Sequence, residues 1–383
     1  MKKTVLFVIE SSFPFFAGGI ENWLYNVISI LNDRIRIIIL SEAPVEYRSA
    51  MYSIPDNVEL INYHSLRSRG KMRFILRGIL GIIDYRTQKY FMRREIRKII
   101  ESNELDAIIA LNTLNASSAV LYFKKKYTSI KYITCARTMH AEFAASYFPP
   151  FRKYFFAQEK KNMLYADVVW SNGYDTQAYY RQFGIDSIIM KNGVNYNLFA
   201  SKKKSSPYHT EIVIVSVGTL SEVKGYSYLI KAFSLIQSKH EEAKLYLLGK
   251  GDPSYYKTLA EELGIADRVV FEGHINDVSP YLQYATVCAC LSGGSGLAMA
   301  AIEAMASGVP IVAWDTPVYQ QFNSKTKTME LTPLNDIESL SKKLDAVLST
   351  PSDFNLMAEN AKIEAKEYDW NIVCDDIMRL IIK

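Results

Sequence analysis

The chain has 383 residues, 49% hydrophobic and 22% charged, with a formal net charge of +5. That length exceeds what a single core normally fills, so two domains are expected, and the composition excludes low-complexity and repeat architectures. Cys135, Cys288, Cys290 and Cys374 lack metal-ligand spacing and form no disulfide framework, and no run approaches the roughly 18 apolar residues of a membrane span.

The opening run 2–9 is too short for a leader and is stopped by Glu10, so it reads as a first strand and the chain as cytoplasmic. The turn that follows carries Gly18 and Gly19 just before a helix over 21–31. Paired glycines there let backbone approach a ligand, and the helix start offers unpaired N–H groups to an anion; an ordinary Gly-rich turn is the plain alternative. Strands follow at 35–40 and 58–63.

The stretch 67–98 holds 11 Lys/Arg against only Asp84 and Glu95, more positive charge than the whole chain nets. It is expected to be helical over 72–100, and around Arg73 and Arg77 it mixes cations with apolar bulk. Anionic lipid would attract such a surface by about 1 kcal/mol per nearby cation, so it reads as a peripheral membrane contact and acceptor side. A core helix with a solvated basic face is the competing reading. No stacking platform accompanies it, so nucleic acid is not expected.

Further strands at 107–111, 132–135 and 168–170 and a helix at 154–165 complete a first alternating pattern. Arg137 and His140 follow the strand at 132–135. After Asn192-Gly193 and the polar stretch 201–207 the pattern restarts. Strands at 212–217, 244–248, 269–272, 287–291 and 310–313 alternate with helices at 226–238, 253–263 and 299–307. Such alternation implies parallel sheets covered by helices on both faces. Ligands bind beyond the carboxyl ends of such strands.

Two loops of this second half suit an anion. Gly218 and Thr219 lead to Lys224-Gly225 at the mouth of a helix, where a lysine opposes the helix dipole unless it meets an anion. Ser295, Gly296, Leu297 and Ala298 form a second Gly-rich nest after a strand. Glu303 then sits in a small, apolar helix, where an unpaired carboxylate is costly and suggests a ligand hydroxyl as partner.

Gly18-Gly19-Ile20-Glu21, the run Lys191 to Phe199, Gly218 through Lys224-Gly225, and Glu303 to Ala313 stand in one order across nearly the whole chain. Together they resemble the retaining family 4 glycosyltransferases. The resemblance implies an α/β protein of GT-B architecture, with two doubly wound Rossmann-like domains facing a central cleft. Residues 1–194 would bind the acceptor, 195–365 the nucleotide sugar, and a C-terminal helix in 366–383 would cross back to the first domain.

It further implies that Gly18, Gly19 and Lys224 meet the donor diphosphate and that Glu303 takes the ribose. His274 and Ile275 would flank the base, and Arg137 or His140 would orient the reacting sugar or the acceptor. Three positions depart from the family: Thr219 stands where an arginine is usual, Ser295 where a first glutamate is usual, and Arg137 precedes His140 where many members have one histidine. The implied chemistry is retaining transfer on one face of the sugar, with the leaving phosphate taking the acceptor's proton. No metal or resident cofactor is called for beyond the nucleotide-diphosphate sugar itself. The alternatives are a phosphorylase, epimerase or inverting transferase on the same scaffold, or a catalytically impaired homologue acting as a binding subunit. A dinucleotide oxidoreductase is not expected, because neither half opens with Gly-x-Gly-x-x-Gly.

Overall fold

A computed structural model describes the whole chain except residues 1, 16–17, 45–48, 65–78, 138, 148, 202–204, 209–211, 294–297 and 383. The chain divides into two compact units, Met1–Lys191 with Val373–Lys383, and Asn192–Ile372.

The first unit is built on seven parallel strands: β1 (Thr4–Val8), β2 (Arg36–Glu42), β3 (Val58–Tyr63), β4 (Ala107–Ala110), β5 (Lys131–Ala136), β6 (Val168–Ser171) and β7 (Ile188–Ile189). Their order is β3-β2-β1-β4-β5-β6-β7. The central strands are buried along their length, as in Val5 to Val8 and Ile37 to Leu40. Parallel strands covered on both faces need this continuous apolar character, which is why they stand out in the sequence as uninterrupted runs.

The second unit repeats the scheme with β8 (Val213–Val217), β9 (Lys244–Leu248), β10 (Val269–Gly273), β11 (Val287–Cys290), β12 (Ile311–Trp314) and β13 (Glu330–Thr332). Here the order is β10-β9-β8-β11-β12-β13. Each sheet reverses its winding once, beside β1 and β4 in the first unit and beside β8 and β11 in the second. A crevice opens at the carboxyl ends of such strands, because the chain leaves them in opposite directions.

Several elements differ from the sequence expectation. β7 and β13 span two and three residues, too few to show any periodicity. The helices His140–Tyr147, Tyr174–Arg181, Ile337–Ser349 and Asn355–Lys366 were also not anticipated. The helix expected over 72–100 is found as Ile79–Ser102; Arg73 and Arg77 lie outside the described residues.

The last helix, Trp370–Ile382, begins in the second unit and ends in the first. Its entry is tight, since a Cβ added to Gly193 would lie 2.1 Å from the Trp370 ring. Its far end is held in the first unit by Lys131 donating to the Leu380 carbonyl at 2.8 Å and by an Arg34–Asp375 ion pair at 2.8 Å. Among the described residues no helix is long and apolar enough to cross a membrane.

Candidate functional site

The crevice at the ends of β8 and β11 is a pocket of about 370 Å³. Ser216, Gly218 and Thr219 approach it from β8, Leu291 and Ser292 from β11, and Met299 and Glu303 from the following helix.

Backbone conformation shapes the first wall. Gly218 has φ +153°, a region that side chains disfavour. Its carbonyl is held by the Tyr226 hydroxyl, which donates at 2.7 Å. The stem of Lys224 runs past it, with Cδ and Cε each 3.5 Å from where a Gly218 Cβ would stand. Lys224 therefore lines the pocket, and it has no ion-pair partner among the described residues. Gly225, at φ +71°, starts the helix Tyr226–Ile236; a Cβ there would lie 2.7 Å from the Leu291 carbonyl oxygen. Only glycine lets the lysine loop pack this closely on the end of β11. The two loops are also tied by the Gly293 N–H, which donates to the Val223 carbonyl at 2.9 Å.

The opposite wall is the start of the helix Met299–Ser307. Ala298 precedes it without a side-chain cap, and among the described residues no side chain accepts from its first N–H groups, the arrangement that suits an anion. One turn in, Glu303 turns toward the same pocket. Burial pushes its carboxyl up to about 7, and no hydrogen bond to its side chain is formed within the described residues. An isolated carboxylate in such a place is stabilised only by a donor that arrives with a ligand. A cation, a helix start and a desolvated acceptor, none of them partnered by a side chain among the described residues, are thus gathered on one cavity. That combination suits an anion joined to a neighbouring pair of hydroxyls.

In the first unit the corresponding strand ends hold a different set of groups. Gly18 caps the helix Gly19–Leu31 in extended backbone, with no side-chain cap. Glu21, in the first turn, is buried and accepts from Ser11. Arg137 leaves the end of β5 and lies over the Trp23 ring, 4.6 Å from its centroid. Burial lowers its guanidinium to about 10, against the opposing pull of Cys135 and Glu21.

His140 is 7% exposed, and burial together with Arg137 lowers it to about 4, so it is neutral at pH 7. Its Nδ1 is 2.9 Å from Thr113 Oγ1. Thr113 in turn donates to Glu159 at 2.6 Å. Both basic residues proposed from sequence therefore enter the same buried region, rather than one replacing the other.

The expected donor residues divide accordingly. Gly218, Thr219, Lys224, Ala298 and Glu303 line one pocket. His274 is exposed on the loop after β10, and Ile275 packs at the edge of the second core; neither lines that pocket. Ser295, Gly296 and Leu297 lie outside the described residues. Sequence reasoning assigned no role to Tyr226 and Tyr319, which line the pocket from the helix Tyr226–Ile236 and the short helix Pro317–Gln320. It quoted Glu21 within the Gly18–Glu21 motif without giving it a role, and passed over Thr113 and Glu159, which look in sequence like ordinary polar residues. Among the described residues no three His, Cys, Asp or Glu side chains cluster as metal ligands.

Residues 199–364 match the family described as glycosyl transferases group 1. That matched stretch lies within the second unit. Residues 3–165 match a domain of unknown function, DUF3492. An uncharacterized glycosyltransferase of Haemophilus influenzae is 32% identical over 176 residues, 45% of this chain and 50% of that protein. A phosphatidyl-myo-inositol mannosyltransferase of Mycobacterium leprae is 26% identical over 202 residues, 51% of this chain and 54% of that protein. The chain thus spans about half the length of the curated relatives it matches. Among solved structures, Anabaena Alr3699/HepE in complex with UDP superposes with a TM-score of 0.73 at 16% identity, over 100% of this chain and 99% of that one. The fold is GT-B, two parallel Rossmann-like sheets.

Proposed function

We propose that this protein transfers a sugar from a nucleotide-diphosphate donor, with retention of configuration and without a metal, to a lipid-linked or saccharide acceptor in surface polysaccharide or glycolipid synthesis. The observation that carries this reading is the pairing of Lys224 and Glu303 on one pocket at the ends of β8 and β11. In this reading the diphosphate lies between Lys224 and the start of the helix Met299–Ser307, and Glu303 accepts from the ribose hydroxyls. The charge that develops on the departing phosphate is met by groups already in place, which is where electrostatic catalysis gains most. The acceptor hydroxyl attacks from the face the phosphate leaves, and that phosphate takes the acceptor's proton. Arg137 or His140 orients the reacting sugar or the acceptor.

Two neighbours support the substrate classes. The solved Anabaena protein holds UDP, and the Mycobacterium leprae relative is named for a lipid acceptor. The helix Ile79–Ser102 exposes Arg86, Arg94, Arg97 and Lys98, with Tyr90 exposed among them, whereas Arg93 turns inward to the Ser118 carbonyl. That surface supports peripheral contact with an anionic membrane, checked by co-sedimentation with and without anionic lipid.

Thermal-shift and hydrolysis assays with a panel of nucleotide sugars, on the wild type and Glu303→Ala, test the proposal. Stabilisation by particular donors, lost in the variant and accompanied by slow sugar release, is expected. Failure of every nucleotide sugar to stabilise the wild type refutes it. Thr219, standing where the related enzymes usually have arginine, favours a second reading as a binding subunit. That reading predicts donor binding with no turnover for any acceptor.

A further inference from the structure

The polar cluster buried behind β4 and β5 fixes the position of a proton. Thr113 Oγ1 lies 2.6 Å from Glu159 Oε1 and 2.9 Å from His140 Nδ1. Glu159 Oε1 also accepts from the Tyr180 hydroxyl at 3.0 Å and from the Ala141 N–H at 3.3 Å. An oxygen surrounded by three donors acts only as an acceptor, even though burial raises the Glu159 carboxyl; a proton on that group would sit on Oε2. The Tyr180 hydroxyl also pairs with Thr113, and the single hydroxyl proton of Thr113 is committed to its short contact with Glu159. Its oxygen can approach Nδ1 only as an acceptor, so Nδ1 carries the ring proton of the neutral imidazole. Nε2 keeps its lone pair and has no partner among the described residues.

We infer that Glu159, acting through Thr113, locks His140 in the Nδ1–H tautomer so that Nε2 offers a hydrogen-bond acceptor to a substrate hydroxyl. Glu159 and Thr113 are positioning residues, and His140 is the group that meets the ligand. The hydroxyl as ligand rests on the glycosyl-transfer reading; the tautomer does not. The lock has a chemical purpose, since an unconstrained neutral imidazole favours the Nε2–H form, which would turn a donor toward that hydroxyl. Asn162 holds the frame by donating to the Thr113 and Leu114 carbonyls at 2.8 and 3.0 Å.

The test is a long-range ¹H–¹⁵N correlation spectrum of the full chain, labelled at histidine and recorded at pH 7, with His140 assigned by its loss in His140→Gln. The expected wild-type ring shows a protonated Nδ1 and a bare, pyridine-type Nε2. Thr113→Val removes the acceptor, and Glu159→Leu combined with Tyr180→Phe frees the Thr113 proton for Nδ1, so both are expected to move the proton to Nε2. Thr113→Ser keeps the hydroxyl and the wild-type pattern, which separates the lock from a general loss of folding. A wild-type His140 protonated at Nε2, or an unchanged ring in Thr113→Val, overturns the lock.

With a donor that the wild type turns over, Thr113→Val is expected to lower kcat roughly tenfold, the scale of one lost hydrogen bond. Thr113→Ser should stay near the wild-type value. A flipped tautomer with unchanged kcat and KM overturns the substrate contact. Absence of turnover in the wild type refutes the transferase reading instead, and leaves the tautomer measurement decisive for the network.

Discussion

Replacing Glu303 with glutamine should make the protein more stable while removing its donor site. The carboxyl is carried from an ordinary value of 4.5 up to about 7 by burial alone. At about 1.4 kcal/mol per pH unit this corresponds to ~3.5 kcal/mol, an upper bound because the pocket opens to solvent. The sign follows from proton linkage. Well below 4.5 both the folded and unfolded chains hold the proton, and the glutamine variant and the wild type should be equally stable. As pH rises from 4.5 toward 7 the unfolded chain releases its proton first, so the wild type loses stability relative to the variant. Above 7 the loss is complete.

Melting temperatures of the two proteins should therefore coincide near pH 4.5 and separate progressively up to pH 8. The gap for a unit of this size is roughly 2–4 °C for each kcal/mol. Adding a nucleotide sugar at about a hundredfold excess over its Kd should raise the wild type by ~2.7 kcal/mol and the variant by much less. Melting curves that run parallel across the whole pH range would refute the claim that Glu303 is held in a desolvating pocket without a protein partner.

Three further outcomes follow from named contacts. Lys224→Ala should weaken nucleotide-sugar binding by roughly 10- to 100-fold, the loss of a charge-assisted contact to phosphate, with little change in the melting temperature of the free protein; titration calorimetry checks both. Gly225→Ala should destabilise the second unit by about 1–3 kcal/mol, because φ is +71° and the new Cβ would press on the Leu291 carbonyl; denaturant titration reads it. Arg268→Lys should cost ~2–3 kcal/mol without altering donor affinity. The guanidinium donates to the carbonyls of Gln237, His240 and Ala243, and an ammonium cannot reproduce that planar fork.

The sequence revealed the scaffold where burial is complete. Buried parallel strands such as Ile37 to Leu40 and Ala107 to Ala110 announce themselves as unbroken apolar runs, and the helix 299–307 was delimited correctly because Gly308 ends it at φ +73°. Short edge strands such as Ile188–Ile189 have no periodicity to read. Lys224 and Glu303 were legible because each breaks a local rule, a cation at a helix mouth and a carboxylate in an apolar helix. Glu159, Thr113 and Tyr180 break none. They lie 46 and 21 residues apart in pairs, and only the packing of the helix Arg152–Tyr165 against the end of β4 gives them a common function.

The two units place their costly groups at equivalent points for opposite reasons. At the end of β1 and β4 the polar side chains are buried and mutually satisfied, so that each proton has one seat: Thr113 donates to Glu159, and Asn162 donates to the backbone of Thr113 and Leu114. Removing one member there leaves a buried partner unpaired, and the loss is felt before any ligand arrives. At the end of β8 and β11, by contrast, Lys224 and Glu303 have no side-chain partner among the described residues. Removing either should cost the free protein little, and in the case of Glu303 should stabilise it. A set that is complete without ligand can orient one but gains little from it, whereas an incomplete set gains on binding what folding withheld. On the proposed function, the pocket of the second unit would gain its missing contacts from the donor, whereas the cluster of the first is already complete. Substitutions in the pocket should fall mainly on KM and leave melting unchanged or higher; substitutions in the Thr113–Glu159–His140 cluster should fall on kcat and melting together.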